Sequence, residues 1–424
     1  MNTARIFDQA QSHRRVTMKS EGRNQKEKKI EVGILFSTSG PYGAIGQELQ
    51  NGALLAISQV NADSRFDFEL VPTICDPSGD LRDYYSTCIH LLKNQGIKHV
   101  IGCYTSSSRK EIIPVFEKYD GLLWYPSHYE GFESSGNVIY TGSAPNQHIV
   151  PLMAYMLQTY GGNVCCVGSN YIWGWESNRI MREGVSACGG SVLSERYVPV
   201  GSVDVDDIVE EIIRLRPSYI FSSLIGISSE TFMRSLYEAR RNDTGLQSEA
   251  MPVCSNTLSE PELAKLSPCS ARGHIASSVY FQSIECRENQ VFIADYKKRY
   301  GGERVTSADA EAAFNASHML AESLQKAHSD DLDSVKQALY GLEFNAPQGK
   351  IWIEPSNNHC YLTPSLGISN EFGQFDIIQS AQEPVRPDPY LVDFKSSSLV
   401  ERQGASSSSS SFHVASATDR RAIQ

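Results

Sequence analysis

No stretch of this 424-residue chain approaches the roughly 18 consecutive apolar residues that a membrane-crossing helix requires, so no membrane span is expected. Positive charge is scarce. Lys and Arg number 38 against 49 Asp and Glu, for a net charge of −11. That balance excludes a broad phosphate-binding surface, and with it direct nucleic-acid recognition. The ten cysteines contain no C-x-x-C pair, and several sit in apolar runs such as Val164-Cys165-Cys166-Val167. Such cysteines read as reduced, buried thiols, with neither a disulfide framework nor zinc-ligand spacing. The chain has no G-x-S-x-G elbow, no G-x-x-x-x-G-K-[ST] phosphate loop and no H-E-x-x-H pair. No enzyme activity, cofactor or metal is therefore expected. Residues 1–29 hold no apolar run of signal-peptide length. They are basic (Arg14, Arg15, Lys19, Arg23, Lys26, Lys28, Lys29) and read as a disordered leader on a cytoplasmic protein.

The length exceeds one ordinary core, and two domains are the natural reading. A hydrophobic content of 41% and a charged content of 21% fit a globular fold. Strand and helix signals alternate. The run IEVGILF (30–36) is a buried strand, followed by a Ser/Thr/Gly turn and a helix over 47–61. HVIGC (99–103), GLLWY (121–125) and 138–141 are strands, with a helix over 106–118 and an irregular stretch, SHYEGFESSGN, before the third. The rhythm restarts near Asn146: helix 146–160, strand 163–168, helix 175–188 ending at Gly189-Gly190, helix 206–214, strand 219–223, helix 230–241 and strand 251–255. A strand over 279–283 and helices over 291–300 and 307–326 follow. The expectation is an α/β fold of two doubly wound parallel-sheet lobes joined by a hinge that the chain crosses more than once. One lobe comprises 30–146 and 274–349. The other, with a hinge-associated segment, comprises 147–273 and 350–390. A disordered Ser-rich tail over 391–424 completes the chain.

Ligands of such sheets bind at the carboxyl ends of strands. Four of these ends are rich in hydroxyls and aromatics: Gly102 onward through Tyr104 and Ser106, Trp124-Tyr125-Pro126-Ser127-His128-Tyr129, Ser169-Asn170-Tyr171-Ile172-Trp173, and Cys254-Ser255-Asn256-Thr257. They offer neutral donors, acceptors and flat walls, which suits a small uncharged polar ligand. Arg109 follows the first end and is expected to point along its helix. Ser108-x-x-Glu111 reads as a capping box. Two readings stand for Tyr125 and for Tyr171 and Trp173: ligand wall, or packed aromatics with satisfied polar tips. Cys103 lacks a sequence-adjacent base, although His128 on the next strand end leaves a pairing open. Asp76 and Asp80 read as a turn and a helix cap.

The segments GCYTSSSRKEIIPVFE (102–117), LLWYPSHYEGFESSGNVIYTGSAPNQ (122–147), GSNYIWGWESNRIMRE (168–183), FNAPQGKIWIEPSNNHCYLTP (344–364) and EPVRPDPY (383–390) resemble the amide- and urea-binding branch of the type I periplasmic-binding-protein family. The resemblance runs from Ile30 to Val392. Within the branch it is closest to the cytosolic amide sensors of aliphatic amidase operons, the AmiC-type negative regulators. The exported urea receptors of ABC transporters are a sister group. The resemblance implies a ligand-binding cleft between lobes, with Tyr104 and Ser106 at the GCYxS positions, Tyr125 in LLxYP, Tyr171 in GSxYI and Thr257 on the fourth strand end. GSDYIYP of other members is here GSNYIWGW, which places Trp173 in the pocket wall and reshapes it. The implied ligand is a short neutral amide or urea. The implied partner is an antiterminator protein; a permease is the partner in the transport reading, and a homodimer is open.

Overall fold

The computed structural model describes Lys26 and residues 28–392. The leader over 1–29 and the tail over 391–424 lie almost entirely outside the described residues. Lys28 and Lys29, assigned to the leader by sequence, instead open the first strand, because they extend a parallel ladder opposite Phe68 and Glu69.

The chain runs through β1 (Lys28–Leu35), α1 (Gly43–Ala62), β2 (Phe68–Cys75), α2 (Leu81–Ile89), β3 (His99–Gly102), α3 (Ser106–Tyr119), β4 (Leu122–Tyr125) and β5 (Val138–Tyr140). It continues with α4 (Ile149–Tyr160), β6 (Asn163–Ser169), α5 (Ile172–Ala187), β7 (Ser191–Val198), α6 (Asp206–Leu215), β8 (Tyr219–Ser223), α7 (Gly226–Arg240), β9 (Val253–Ser255), α8 (Glu260–Leu263), α9 (Pro268–Ala271) and β10 (Ile275–Ser278). The last part is α10 (Arg287–Tyr300), α11 (Ala308–Ala327), α12 (Leu332–Leu339), β11 (Phe344–Ala346), β12 (Gly349–Glu354), β13 (His359–Tyr361), β14 (Ser365–Ser369) and β15 (Phe375–Ser380).

Two sheets result, in the orders β11-β12-β13-β5-β4-β3-β1-β2 and β15-β14-β10-β9-β8-β6-β7. β1 to β5 are parallel, as are β6 to β10. Helical crossovers cover both faces, so strands such as β3, β4 and β8 are buried end to end. The C-terminal strands add antiparallel edges, because their short connections allow only hairpin pairing. The two lobes are thus α/β with mixed sheets built on parallel centres.

The chain passes between sheets after β5, after β10 and after β13. Two sequence expectations are corrected here. The strand expected over 279–283 is four residues earlier, at β10, and β10 belongs to the second sheet because it pairs with β9 and β14. The segment that follows is a buried crossing, where Tyr280 and Phe281 supply the apolar signal. Residues 349–361 belong to the first sheet, since β12 pairs with β11 and β13, and His359 of β13 pairs with Tyr140.

Helix α11 packs along α1. An added Cβ at Gly52 would lie 1.9 Å from the Ala310 carbonyl oxygen, and one at Gly46 would lie 1.8 Å from that of Ser37. The small side chains of α11 (Ala313, Ala316, Ala321) permit this approach over the first-lobe core. No helix among the described residues is long and apolar enough to cross a membrane.

Candidate functional site

At the end of β3 the chain turns sharply. Cys103 adopts φ 65°, an uncommon left-handed value for a residue with a Cβ. Thr105 then caps α3, its Oγ1 accepting from the Ser108 N–H at 3.2 Å. The cap is thus one turn earlier than the Ser108 box read from sequence. The Cys103 thiol is wholly buried, and burial pushes its pKa up to about 12. His128 does not serve it; the His128 ring lies 4.9 Å from Trp173 and 5.9 Å from His148.

Ser106 opens α3 and donates its hydroxyl hydrogen to Glu130. Arg109, one turn on, does not point along its helix. It is 0% exposed. Its Nε donates to Glu133 Oε1 at 2.7 Å, and its Nη2 to Glu130 Oε1 at 3.2 Å. Its guanidinium carbon lies 4.6 Å from the Tyr125 ring centre and 4.5 Å from that of Tyr129. Lys110 adds a 2.6 Å contact to Glu133. Burial alone would raise the Glu133 pKa, but Arg109 and Lys110 together outweigh it and hold the carboxyl down to about 2. Both glutamates come from the irregular stretch SHYEGFESSGN. The signal was present in Tyr129-Glu130 and Glu133 opposite a helical Arg, but a loop hides which way its charges face.

Tyr125 is wholly buried, and its hydroxyl donates to the Tyr104 carbonyl at 2.8 Å. It holds the β3 turn in place and packs with Tyr129 and Tyr140. Tyr140 in turn stacks on His359 at 4.1 Å, as their pairing requires. Tyr104 sits on Tyr42, 5.6 Å between ring centres, and its hydroxyl makes no hydrogen bond.

The second lobe meets this wall. Tyr171 stands just before α5 and Trp173 in its first turn. Both pack into one apolar cluster with Tyr42, Tyr104 and Ile225, which closes the lobes on each other. Trp173 is 3% exposed, and its indole N–H has no partner. Thr257 donates its hydroxyl hydrogen to the Leu224 carbonyl at 2.9 Å and lies 3.0 Å from Ser255 Oγ.

Between the strand ends remains a cavity of ≈ 30 Å³, lined by His128, Ser143, Asn256, Thr257, Glu260 and Ser277. That volume holds a water or two. A ligand of several heavy atoms needs the lobes to part or the His128–Trp173 contact to shift. The orientation of Asn256 follows from its neighbours. His148 Nε2 is 3.0 Å from the Tyr129 carbonyl, so it carries the proton. His148 Nδ1 then accepts, and Asn256 Nδ2 donates to it at 3.3 Å. Burial pushes the His148 pKa down to about 3, so the ring stays neutral. Asn256 Oδ1 is left buried and without a partner, as is Ser277 Oγ. Burial likewise pushes His128 down to about 4 and raises Glu260 to about 7, while Glu260 Oε1 accepts from the Gln282 N–H at 2.7 Å.

The cavity therefore presents Asn256 Oδ1 and the Ser277 hydroxyl beside the carboxyls of Glu260 and Asp309, and no Lys or Arg is among the residues that line it. The sequence reading made Tyr104, Ser106, Tyr125, Tyr171, Trp173 and Thr257 ligand contacts; of these Thr257 lines the cavity, whereas Tyr104, Tyr171 and Trp173 pack in the apolar cluster between the lobes, Ser106 bonds Glu130 and Tyr125 bonds the Tyr104 carbonyl. It did not single out Asn256, whose role depends on a histidine more than 100 positions away. All ten cysteines are free thiols. Among the described residues no group of His, Cys, Asp or Glu is arranged to hold a metal ion.

Residues 30–396 match the model of the periplasmic binding protein domain family. A Leu/Ile/Val-binding protein homolog 6 of Brucella abortus (strain 2308) is 20% identical over 335 residues, covering 78% of this chain and 85% of that protein. A protein named limonene hydroxylase of Geobacillus stearothermophilus is 35% identical over 133 residues; the match spans 31% of this chain and only 24% of that protein. Among solved structures, an ABC transporter solute-binding protein of R. palustris in complex with 4-hydroxybenzoate superposes with TM-score 0.76 at 19% identity, covering 87% of this chain and all of that one. The branched-chain amino acid transporter substrate-binding protein LivJ of Streptococcus pneumoniae, in complex with isoleucine, gives 0.73 at 16% identity over 85% of this chain. At these identities the structural matches establish the fold.

Proposed function

The chain belongs to the periplasmic binding protein domain family, and from that premise we propose that it binds a short neutral amide or urea between its lobes. The observation that carries this reading is the free Asn256 Oδ1, whose acceptor role is dictated by His148. It calls for a ligand that brings N–H donors. Charge supports the same choice. A ligand carboxylate would be desolvated beside Glu260 with Arg109 already held by Glu130 and Glu133. That costs several kcal/mol without a cationic partner. Tyr104, Ser106, Tyr171, Trp173 and Thr257 complete the contact set in this reading, and Tyr125 supports it from behind. The protein acts by binding and not by catalysis, with no cofactor.

In its regulatory form the reading makes the protein a cytoplasmic amide sensor that restrains an antiterminator protein and releases it when amide shifts the lobe equilibrium. The transport form makes it the solute receptor of an ABC transporter, as its solved structural relatives are named. Calorimetry with acetamide, urea, isoleucine and 4-hydroxybenzoate tests the ligand class. Micromolar-range binding of acetamide or urea with weak binding of the two carboxylates is expected; the opposite order sinks the amide reading. Amide titrated with and without the co-encoded partner separates the two forms, since a sensor's partner must lower amide affinity by the factor by which amide lowers the partner's. Cell fractionation checks the location.

A further inference from the structure

A second cavity, of ≈ 430 Å³, opens between α1, the segment before α11, and α8. It draws its walls from both lobes. Four acidic residues line it, Glu48, Glu262, Glu303 and Asp309, against two cations, Lys265 and Arg304. Both cations are half-exposed and already engaged. Arg304 pairs with Glu48 at 3.1 Å, and Lys265 lies 3.7 Å from Glu230. Glu48 also accepts from the Tyr296 hydroxyl.

Glu262 is the telling group. It is 7% exposed. One oxygen is explained by local structure: Oε2 accepts from the Ser259 N–H at 3.1 Å, closing the capping box of α8. The other, Oε1, is buried and has no partner. Asp309 faces it from the first turn of α11 and also makes no hydrogen bond or ion pair. A buried carboxyl left half-satisfied beside a second carboxyl is costly unless something offsets it. Burial, then the charge of Asp309, push the Glu262 pKa up to about 8; burial and then Glu48 push Asp309 to about 7. The charges of Asp309 and Glu262 also act on the buried Tyr104 hydroxyl, whose pKa burial first and these charges next push up.

We propose that this cavity is a second ligand site, one that takes an organic ammonium ion between Glu262 of one lobe and Asp309 of the other. An ammonium carries three donors and a charge, so it answers both the unpaired oxygen and the repulsion. Because its carboxyls come from different lobes, its occupancy favours the closed arrangement. Asp309 and Ser259 also line the amide cavity, so the two sites adjoin, but the proposal does not depend on the amide reading.

The test uses the full chain and 1,4-diaminobutane as probe, with 1,4-butanediol as the uncharged control. Calorimetry at pH 8.5 is expected to show binding of the diamine and none of the diol. At pH 6.0 the carboxyls hold their protons while the amine remains charged, so diamine affinity falls at least tenfold. E262Q and D309N each weaken the diamine at least tenfold at pH 8.5, with thermal midpoints no lower than the parent's. Three results overturn the proposal: no diamine binding at pH 8.5, equal affinity for the diol, or undiminished affinity in both variants. Should either variant fail to fold, the diol and pH comparisons on the unaltered chain decide. Acetamide binding without diamine binding refutes this site alone, and the converse refutes the amide reading alone.

Discussion

Replacing Arg109 by methionine removes a charge from the most enclosed ionic group of the first lobe. Arg109 is fully buried, Glu130 is 1% exposed at its side chain, and Glu133 is 13% exposed. Methionine keeps the aliphatic length between Tyr125 and Tyr129 but leaves two carboxylates behind. Their losses differ. Glu133 retains Lys110 at 2.6 Å and the Tyr140 hydroxyl at 3.0 Å. Glu130 keeps only the Ser106 hydroxyl and a distant Lys110 at 3.8 Å. Breaking a buried pair on one side typically costs about 3–5 kcal/mol, and Glu130 should carry most of it. For a lobe of this size that lowers the thermal midpoint by about 10 °C. Adding Glu130→Gln should recover more than half of the loss, because a neutral amide needs no counter-charge. Scanning calorimetry suits the measurement, since urea is a candidate ligand and guanidinium a candidate occupant of the acidic cavity. The pH dependence adds a signature. Glu133 is held below its ordinary 4.5, down to about 2, so its contribution is complete above about pH 4.5 and is lost as pH falls toward 2. It amounts to about 3 kcal/mol. Arg109→Met should flatten that acid limb. A midpoint change of only a degree or two, or no recovery with Glu130→Gln, would refute the reasoning.

Ser106→Ala should act twice: it takes a donor from Glu130, costing about 1.5–3 kcal/mol of stability, and it weakens acetamide about tenfold. An unchanged affinity with a lowered midpoint would leave Ser106 a purely structural residue. Gly52→Ala should destabilise by at least about 2 kcal/mol, since its Cβ meets backbone of α11 and not a movable side chain; thermal unfolding reads it. A thiol reagent at pH 8 should label exposed Cys269 quickly and leave Cys103 untouched, and the protein should release no acetate from acetamide. Acetate production that vanished in Cys103→Ser would overturn the binding-only reading.

Much of the fold is legible because its parallel strands are continuous apolar runs: VGIL, HVIG, LLWY, VCCVG and YIFSS all read directly. β2 is less legible, since FELVPTIC is mostly half-buried and contains Pro72. The sheet tolerates that proline because β2 is an edge strand. β10 (IASS) carries small residues, and its neighbour VYFQS has the stronger β signal, so the strand assignment drifts onto a crossing segment that is apolar because it is buried between lobes. The C-terminal strands divide between two sheets, and that division depends on distant pairings, of β13 with β5 and of β14 with β10, which no local pattern contains. The site splits the same way. The aromatics and hydroxyls at strand ends are visible in sequence. The charges that set its chemistry are not, because Glu130, Glu133, Glu262 and Asp309 come from loops and helix starts, where acidic residues are ordinary.

Arg109 explains what the cleft can accept. A guanidinium at the start of α3 would make a natural anchor for a ligand carboxylate, and here it is withdrawn. Two tyrosine faces enclose it and two glutamates neutralise it. The Ser106 hydroxyl spends its hydrogen on Glu130, so toward a ligand it offers lone pairs. His148 turns Asn256 the same way. Asn256 and Ser106 thus both present acceptors, and a ligand that brings N–H groups answers them. Acetamide and urea satisfy that requirement, whereas N,N-dimethylacetamide has the same carbonyl and no N–H. Losing donors to two buried acceptors costs about 1–3 kcal/mol for each acceptor left unpaired. The dimethyl compound should therefore bind at least about thirtyfold more weakly than acetamide. Asn256→Leu should narrow the gap, because it removes one of the acceptors that penalise the missing hydrogens. Equal binding of the two amides to the unaltered protein would mean that the carbonyl is what the cleft reads, and the acceptor assignment of Asn256 would fall.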